Sequence, residues 1–164
     1  MNNLVDAIIE IPVGTKNKYE IDKKNHTIRL NRVQYSSMTY PAEYGFIDNT
    51  LSLDGDPLDI LVLTSEPTFP GCVVPARIVG FLETNDNGFG DNKIIAVNAV
   101  DPRFNDINEI EDIKEHTLIE IKDFFSNYKR LQNIEVKVFD FYGKEYALQI
   151  LKQATDRYKE NEQL

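Results

Sequence analysis

The chain has 164 residues, of which 27 are acidic and 18 basic, and its formal net charge at pH 7 is −9. Because affinity for nucleic-acid phosphates comes from Lys and Arg, this charge argues against nucleic acid as a partner and suits cation binding instead. The length predicts a single domain, residues 1–164, with one hydrophobic core.

The sequence predicts neither a targeting segment nor a membrane span. The N-terminal residues lack the basic flank and apolar run of a signal peptide, and no apolar stretch approaches the length that spans a membrane. Cys72 is the single cysteine, so no intrachain disulfide can form, and its apolar neighbours predict a buried thiol. We therefore expect a cytoplasmic protein without a membrane partner.

Residues 5–11 form the first predicted strand. Their β-branched side chains favour extended structure, and Pro12 stops the strand. Glu10 lies next to that end and is the first candidate functional carboxylate.

A hairpin is predicted from two short β-prone runs, residues 18–22 and 27–33, joined by a polar turn. Alternation along a strand places Lys18 and Glu20 on one face. Together with Arg32, these charged side chains fit a wall of a cleft. They fit a solvated face with cross-strand ion pairs equally well.

The next segment, residues 40–47, is aromatic and broken by turn residues. Gly45 leaves room for another stretch of backbone to approach closely. Tyr44 either packs in the core or offers its hydroxyl to a ligand, and the sequence leaves both roles open.

Three carboxylates, Asp54, Asp56 and Asp59, lead into an apolar strand predicted over residues 58–63. Unpaired charges buried at such a place cost several kcal/mol apiece, so cations must neutralise them. Carboxylates without His or Cys favour Mg²⁺ or Mn²⁺ over zinc. A solvated acidic turn is the less favoured interpretation, because the carboxylates abut an apolar strand.

Two other acidic motifs fit this stretch poorly. An EF-hand loop counted from Asp54 would need Glu at its twelfth position, where Ser65 stands. An Asp-x-Asp phosphatase nucleophile would use Asp54 and Asp56 but would leave Asp59 unexplained.

A loop between strands predicted over residues 72–82 and 93–100 carries a second acidic group. Its two glycines mark a hairpin turn. Asp86, Asp91 and Lys93 therefore lie near two strand ends. Coupled with the first acidic group, they become a candidate second wall of one metal site.

The last third of the chain is predicted to contain two helices with a strand between them. Apolar residues recur at three- and four-residue steps over residues 114–131, residues 134–142 alternate, and a final helix begins at Lys144. Many short strands before two late helices predict an α+β fold, a small antiparallel barrel with the helices packed on one side.

The candidate functional side chains combine carboxylates, cations and hydroxyls. They are Glu10, Asp54, Asp56, Asp59, Asp86, Asp91, Lys18, Arg32, Lys93, Lys129, Tyr44 and Tyr128. So many carboxylates repel one another unless several cations lie between them, which implies more than one metal ion. Lys and Arg beside metal ions match an anionic substrate whose oxygens bridge those ions, so phosphoryl transfer to water fits.

The stretch Asp54-Gly55-Asp56-Pro57-Leu58-Asp59, followed by Ile60-Leu61-Val62, closely resembles the signature of the soluble inorganic pyrophosphatases of family I, the Mg²⁺-dependent class. Similar blocks follow the family's order over about residues 5 to 155. They surround Glu10, Lys18 to Asp22, Arg32, Tyr40 to Gly45, Asp86 to Lys93, and Phe124 to Lys129.

This resemblance implies an enzyme, an inorganic diphosphatase that hydrolyses pyrophosphate to two orthophosphates on an OB-like five-stranded antiparallel barrel. It implies several Mg²⁺ ions as cofactors, with Mn²⁺ able to substitute. Bacterial members of this compact length usually assemble as hexamers, so the resemblance also implies a homohexamer.

The resemblance also assigns the metal ligands. Asp54, Asp59 and Asp91 would hold the first ion, with Asp59 bridging to a second. Asp86 and Asp91 would hold a further ion that arrives with substrate, and Glu10 would lie close to the metals.

Asp56 is the catalytic residue by the same resemblance, since it would accept the proton of a water held between two metal ions. Glu20 would order its neighbours Lys18 and Arg32. The groups that bind the phosphates would be Lys18, Arg32, Tyr44, Lys93, Tyr128 and Lys129.

Two departures and two alternatives accompany this interpretation. A Lys-Gly-Lys-like stretch common after Lys129 is absent, as is a late Trp near residues 139–142.

A metal-dependent phosphohydrolase of nucleotides or sugar phosphates is one alternative. An OB-type module for single-stranded nucleic acid is the other, and the net charge opposes it.

Overall fold

A computed structural model describes residues 2–164 as nine strands, two α-helices and three short 3₁₀-helices. The strands are β1 (Leu4–Ile11), β2 (Asn17–Ile21), β3 (Ile28–Val33), β4 (Glu43–Ile47), β5 (Leu58–Leu63), β6 (Val73–Asp86), β7 (Phe89–Gly90), β8 (Lys93–Asn98) and β9 (Val136–Gly143). The α-helices are α1 (Glu115–Asn127) and α2 (Lys144–Glu162), and the 3₁₀-helices span Pro102–Phe104, Ile110–Asp112 and Arg130–Gln132.

Five strands close into a barrel. β1 pairs with β4, β4 with β5, β5 with β8, β8 with β6, and β6 returns to β1. This ring confirms the α+β class and the five-stranded barrel. The β5–β8 pair is parallel, a departure from a wholly antiparallel barrel. β8 follows β6 in the chain and pairs antiparallel with it. It lies between β6 and β5, and β5 runs in the same direction as β8.

The strand β4 has no counterpart among the predicted elements, because aromatic and turn residues hide it in the sequence. It lies between β1 and β5 and completes the barrel. The expected close approach at Gly45 is confirmed, since a Cβ at this position would lie 1.9 Å from the carbonyl oxygen of Ile8.

Helix α1 is shorter than the predicted helix over residues 114–131. It ends at Asn127, and the chain continues through Tyr128 into the 3₁₀-helix Arg130–Gln132. Asn133 then adopts a left-handed conformation with φ of 58°, which stops the helical path.

The two helices pack against different apolar clusters of the barrel. On β5, Leu61 and Leu63 belong to the apolar cluster that includes Phe124 of α1. Ile60 and Val62 belong to the cluster that includes residues of α2. Successive side chains of a strand point to opposite faces, so a strand that is apolar on both needs cover on both.

Two further expectations concern the burial of Cys72 and the absence of a membrane span. Cys72 is half-buried rather than buried, because it lies in the turn before β6 instead of within the strand. No helix in residues 2–164 has the length and apolar character needed to cross a membrane.

Candidate active site

A cavity of about 410 Å³ lies where the β2–β3 hairpin, the mouth of the barrel and the end of α1 meet. Of the thirteen residues with a proposed role, eleven line it. They are Glu10, Lys18, Glu20, Arg32, Tyr44, Asp54, Asp56, Asp59, Asp91, Tyr128 and Lys129. Lys93 and Asp86 do not line the cavity but pair with residues that do: Lys93 pairs with Asp59 and Asp91, and Asp86 pairs with Lys129.

A tight turn in the β4–β5 loop carries Asp54 and Asp56. Ser52 N donates to Asp56 O at 2.7 Å, and Gly55 N donates to Ser52 O at 3.2 Å. Gly55 has φ of 90°, a conformation that suits glycine. Asp56 N also donates to Oδ1 of Asp54 at 3.0 Å. These bonds fix both exposed carboxylates on one short loop at the cavity edge.

Asp59 and Asp91, with Lys93 between them, form a group that we call the acidic wall. Only 1% of the Lys93 side chain is exposed. Lys93, the first residue of β8, lies opposite Asp59 in the parallel pairing with β5. Its Nζ is 3.5 Å from Oδ2 of Asp59 and 3.0 Å from Oδ2 of Asp91. One ammonium therefore forms ion pairs with two carboxylates.

The acidic wall carries more negative charge than its lysine neutralises. Burial raises the pKa of Asp59 to about 7, with Lys93 opposing this rise and the charge of Asp91 adding to it. Burial also acts to raise the pKa of Asp91, but the nearby Lys93 overcomes it and the pKa of Asp91 is lowered. The wall therefore suits additional positive charge.

The chemistry of the donor set fits a hard divalent cation. The cavity lining offers the carboxylates of Glu10, Asp54, Asp56, Asp59 and Asp91, and it contains no histidine or cysteine. Within residues 2–164, no three carboxylate, imidazole or thiol groups lie close enough together to hold a single ion.

Three cations, Lys18, Arg32 and Lys129, also line the cavity. Burial lowers the pKa of the Lys18 ammonium, and the charges of Arg32 and Lys129 lower it further, while Glu20 opposes them from 3.7 Å. Nε of Arg32 is buried without a hydrogen-bond partner. Lys129 forms an ion pair with Asp86. Cations that repel one another around a shared space suit an anion with several charged oxygens.

Glu10 connects the barrel to the hairpin. Its Oε2 accepts a 2.9 Å hydrogen bond from the backbone N–H of Ile21. Burial raises the pKa of Glu10, and this hydrogen bond opposes the rise. The carboxylate thus holds the end of β2 over the cavity.

Two tyrosines, Tyr44 and Tyr128, line the cavity together with these charged residues. The hydroxyl of Tyr44 donates to Oδ2 of Asp59 at 2.8 Å. Burial raises the pKa of both Tyr44 and Tyr128 well above the ordinary value, so both hydroxyls stay protonated at neutral pH. The Tyr128 hydroxyl can donate a hydrogen bond to an anion, whereas the single hydroxyl proton of Tyr44 is directed at Asp59. Tyr44 thus packs near Tyr40 and Phe125 and contacts the acidic residues through its hydroxyl.

Sequence reasoning gave no role to three further polar residues that line the cavity, Tyr19, Lys23 and Tyr40. Lys23 Nζ lies 4.8 Å from the ring centre of Phe46. Lys23 lies at the start of the hairpin turn, just beyond a strand that ends beside the cavity. This position in the sequence could have identified Lys23 as a candidate.

The family comparison matches most of the chain. The family model described as "Inorganic pyrophosphatase" matches residues 7–159. An inorganic pyrophosphatase of Geobacillus stearothermophilus is 50% identical over 159 residues, which is 97% of this chain and 96% of that protein.

Solved structures agree with this result. The crystal structure of inorganic pyrophosphatase from Thermus thermophilus is 42% identical, with a TM-score of 0.93 over 96% of this chain and 92% of that one. The inorganic pyrophosphatase of Helicobacter pylori is 41% identical, with a TM-score of 0.93 over 96% and 94%. The chain is thus a hydrolase by its relatives. It belongs to the inorganic pyrophosphatase family.

Proposed function

We propose that the chain hydrolyses inorganic pyrophosphate to two orthophosphates with the help of several Mg²⁺ ions. The observation that carries this proposal is a single cavity lined both by several carboxylates and by the cations Lys18, Arg32 and Lys129. An anion that arrives with divalent cations satisfies both sets of charges at once. The names of the matched relatives identify that anion as pyrophosphate.

The proposed metal ligands are Asp54, Asp59, Asp86, Asp91 and Glu10, with Mn²⁺ able to replace Mg²⁺. Bound metal ions would neutralise charge on the phosphate oxygens and lower the pKa of a coordinated water. The convergence of the Asp59 and Asp91 carboxylates on a common cation, Lys93, supports this role for the two residues.

Asp56 is the proposed general base. Its carboxylate lies at the cavity edge on the tight turn that also carries Asp54. Exposure there leaves it free to accept a proton from the attacking water, a transfer that typically contributes about 10²- to 10⁴-fold to a rate.

Six groups are proposed to bind the phosphates. They are Lys18, Arg32, Tyr44, Lys93, Tyr128 and Lys129. Fixed positive charges and protonated hydroxyls stabilise the charge that develops on the leaving phosphate. Glu20, 3.7 Å from the Lys18 ammonium, is proposed to orient that side chain and its neighbour Arg32. We also propose, from the resemblance, that the chain acts in the cytoplasm as a homohexamer.

Release of orthophosphate from pyrophosphate and from ATP, measured with Mg²⁺ and after chelation, tests this function. We expect rapid Mg²⁺-dependent release from pyrophosphate and little from ATP. Equal or faster turnover of ATP would instead indicate a nucleotide phosphohydrolase. Salt-sensitive binding of an oligonucleotide without any hydrolysis would indicate a nucleic-acid module.

A further inference from the structure

The loop between β4 and β5 carries two of the residues on which the proposed function depends, Asp54 and Asp56. Its base is closed by Thr50, whose hydroxyl donates to Ile47 O at 2.5 Å and accepts from Leu58 N at 2.9 Å. Its tip is closed by the bond from Ser52 N to Asp56 O. Neither set of bonds fixes the tip relative to the rest of the molecule.

Helix α2 holds the residue between the base and the tip. The N–H of Leu51 donates to the carbonyl oxygen of Ala154 at 3.0 Å. The guanidinium of Arg157 donates from Nη1 to the carbonyl oxygen of Leu51. Both backbone polar groups of Leu51 are therefore held by a helix about a hundred residues away in sequence.

Beyond Leu51 the loop and the helix separate. A cleft of about 270 Å³ lies between them, lined by Asp54 and Asp59 on one side and by Gln153 and Arg157 on the other. Leu53 at the tip is 90% exposed and packs on little. The two bonds at Leu51 thus link the acidic turn to the helix in place of side-chain packing.

Helix α2 is itself packed against the barrel. Ala147 and Ala154 are buried in the apolar cluster that also contains Ile60 and Val62 of β5. The helix is thereby fixed to the strand that leads out of Asp59. A bond from α2 to the loop therefore fixes Asp54 and Asp56 relative to Asp59.

We propose that Arg157 is a positioning residue, which places Asp54 and Asp56 by holding the Leu51 carbonyl. This inference deepens the proposed function and rests on it. Arg157 lies on the cleft side of the loop and does not line the cavity that contains the other site residues. It acts through the backbone of the loop rather than on the substrate.

The test compares Arg157→Met, which keeps an apolar stem, with Arg157→Lys, which keeps one donor. Lys159→Met, a change at an exposed lysine of the same helix, is the matched control. Hydrogen exchange of the metal-free proteins reports on the loop directly, because the amides of Leu51, Ser52 and Gly55 are hydrogen-bonded. Calorimetric titration with Mn²⁺ then reports on metal affinity without any turnover.

For Arg157→Met we expect exchange over residues 48–57 to rise, and Mn²⁺ affinity to fall, each by about threefold to tenfold, the range of one lost hydrogen bond. Exchange in β5 and α2 should stay as in the wild type. Arg157→Lys should lie between the wild type and Arg157→Met, and Lys159→Met should match the wild type.

Three results would overturn the proposal. They are unchanged exchange over residues 48–57 in Arg157→Met, an equal rise throughout the barrel, and unchanged Mn²⁺ affinity despite a loosened loop. Failure of the wild type to hydrolyse pyrophosphate would instead overturn the proposed function, whereas exchange in metal-free protein tests the link between loop and helix alone.

Discussion

The hydroxyl of Tyr44 donates a 2.8 Å hydrogen bond to Oδ2 of Asp59. Asp59 pairs with Phe46 across the β4–β5 ladder, so Tyr44 is its diagonal neighbour on the same face of the sheet. Lys93 Nζ also donates to the Tyr44 hydroxyl, at 3.3 Å. The phenol therefore contacts a proposed metal ligand and the buried ammonium that neutralises it.

Replacing Tyr44 with Phe removes this hydroxyl while keeping the ring that packs near Tyr40 and Phe125. We expect turnover of pyrophosphate to fall about tenfold, the upper range for one hydrogen bond, with little change in thermal stability. Steady-state kinetics check this, with Tyr35→Phe at an exposed tyrosine as the control. Unchanged turnover and metal dependence would remove the hydroxyl from the site.

Asp56→Asn keeps the size of the side chain but removes the proposed proton acceptor. We expect turnover to fall by about two orders of magnitude or more, while Mn²⁺ affinity and the fold are retained. Single-turnover kinetics together with calorimetry measure the two effects separately. Asp106→Asn, a matched change at an exposed loop residue, should have no effect. An unchanged rate in Asp56→Asn would exclude Asp56 as the base.

Asp59→Ala should act on metal binding first. Loss of a carboxylate from the acidic wall should raise the Mg²⁺ concentration for half-maximal activity about tenfold or more, because affinity follows the number of charged ligands. Activity measured across a Mg²⁺ titration checks this. Excess Mg²⁺ should restore part of the activity, and full restoration would show that Asp59 has a lesser role.

Gly45→Ala should destabilise the barrel. A Cβ at this position would lie 1.9 Å from the Ile8 carbonyl oxygen, so β1 and β4 would have to separate. We expect the free energy of unfolding to fall by about 3–5 kcal/mol, measured by urea denaturation. Gly90→Ala is the control, because no atom lies within 4 Å of its added Cβ. Equal stability of the two variants would contradict the close approach.

Asp101 should give the folding stability an acid dependence. Its carboxylate accepts a 2.5 Å bond from the Ser65 hydroxyl and a 3.1 Å bond from Arg103 N, which hold its pKa at about 2. A depressed pKa stabilises the fold above the unfolded value, about 3.9, and this contribution is lost as the pH falls towards the folded value.

The check is the difference in urea midpoint between the wild type and Asp101→Asn. We expect the wild type to be the more stable at neutral pH, and the difference to shrink as the pH falls from about 5 to about 2. A difference that does not vary with pH would show that the charge of Asp101 contributes nothing.

Much of the fold follows from local patterns in the sequence. The apolar run of β5 predicts its bounds and places Asp59 at its start, and two β-prone runs joined by a polar turn predict the β2–β3 hairpin. These signals suffice because strand formation there depends on neighbouring side chains. These signals do not predict strand β4, because its place in the barrel depends on the close approach of the β1 backbone to Gly45.

The relations between distant residues could not be predicted. Lys93 lies opposite Asp59 because β5 and β8 pair in parallel, and no local pattern specifies that register. Glu43 is fully buried, and its carboxylate accepts from Val13 N and Thr68 N at 2.5 Å each. Both partners lie on other segments of the chain, so the sequence around Glu43 does not reveal them.

A crystal structure of the protein with Mn²⁺ and orthophosphate tests most directly whether the cavity holds metal ions on its carboxylates and phosphate on its cations. We predict anomalous peaks about 2.0–2.3 Å from carboxylate oxygens of Asp54, Asp59 and Asp91, together with phosphate bound by Lys18 and Arg32. Manganese bound to carboxylates outside this cavity, with no phosphate in the cavity, would contradict the proposed site.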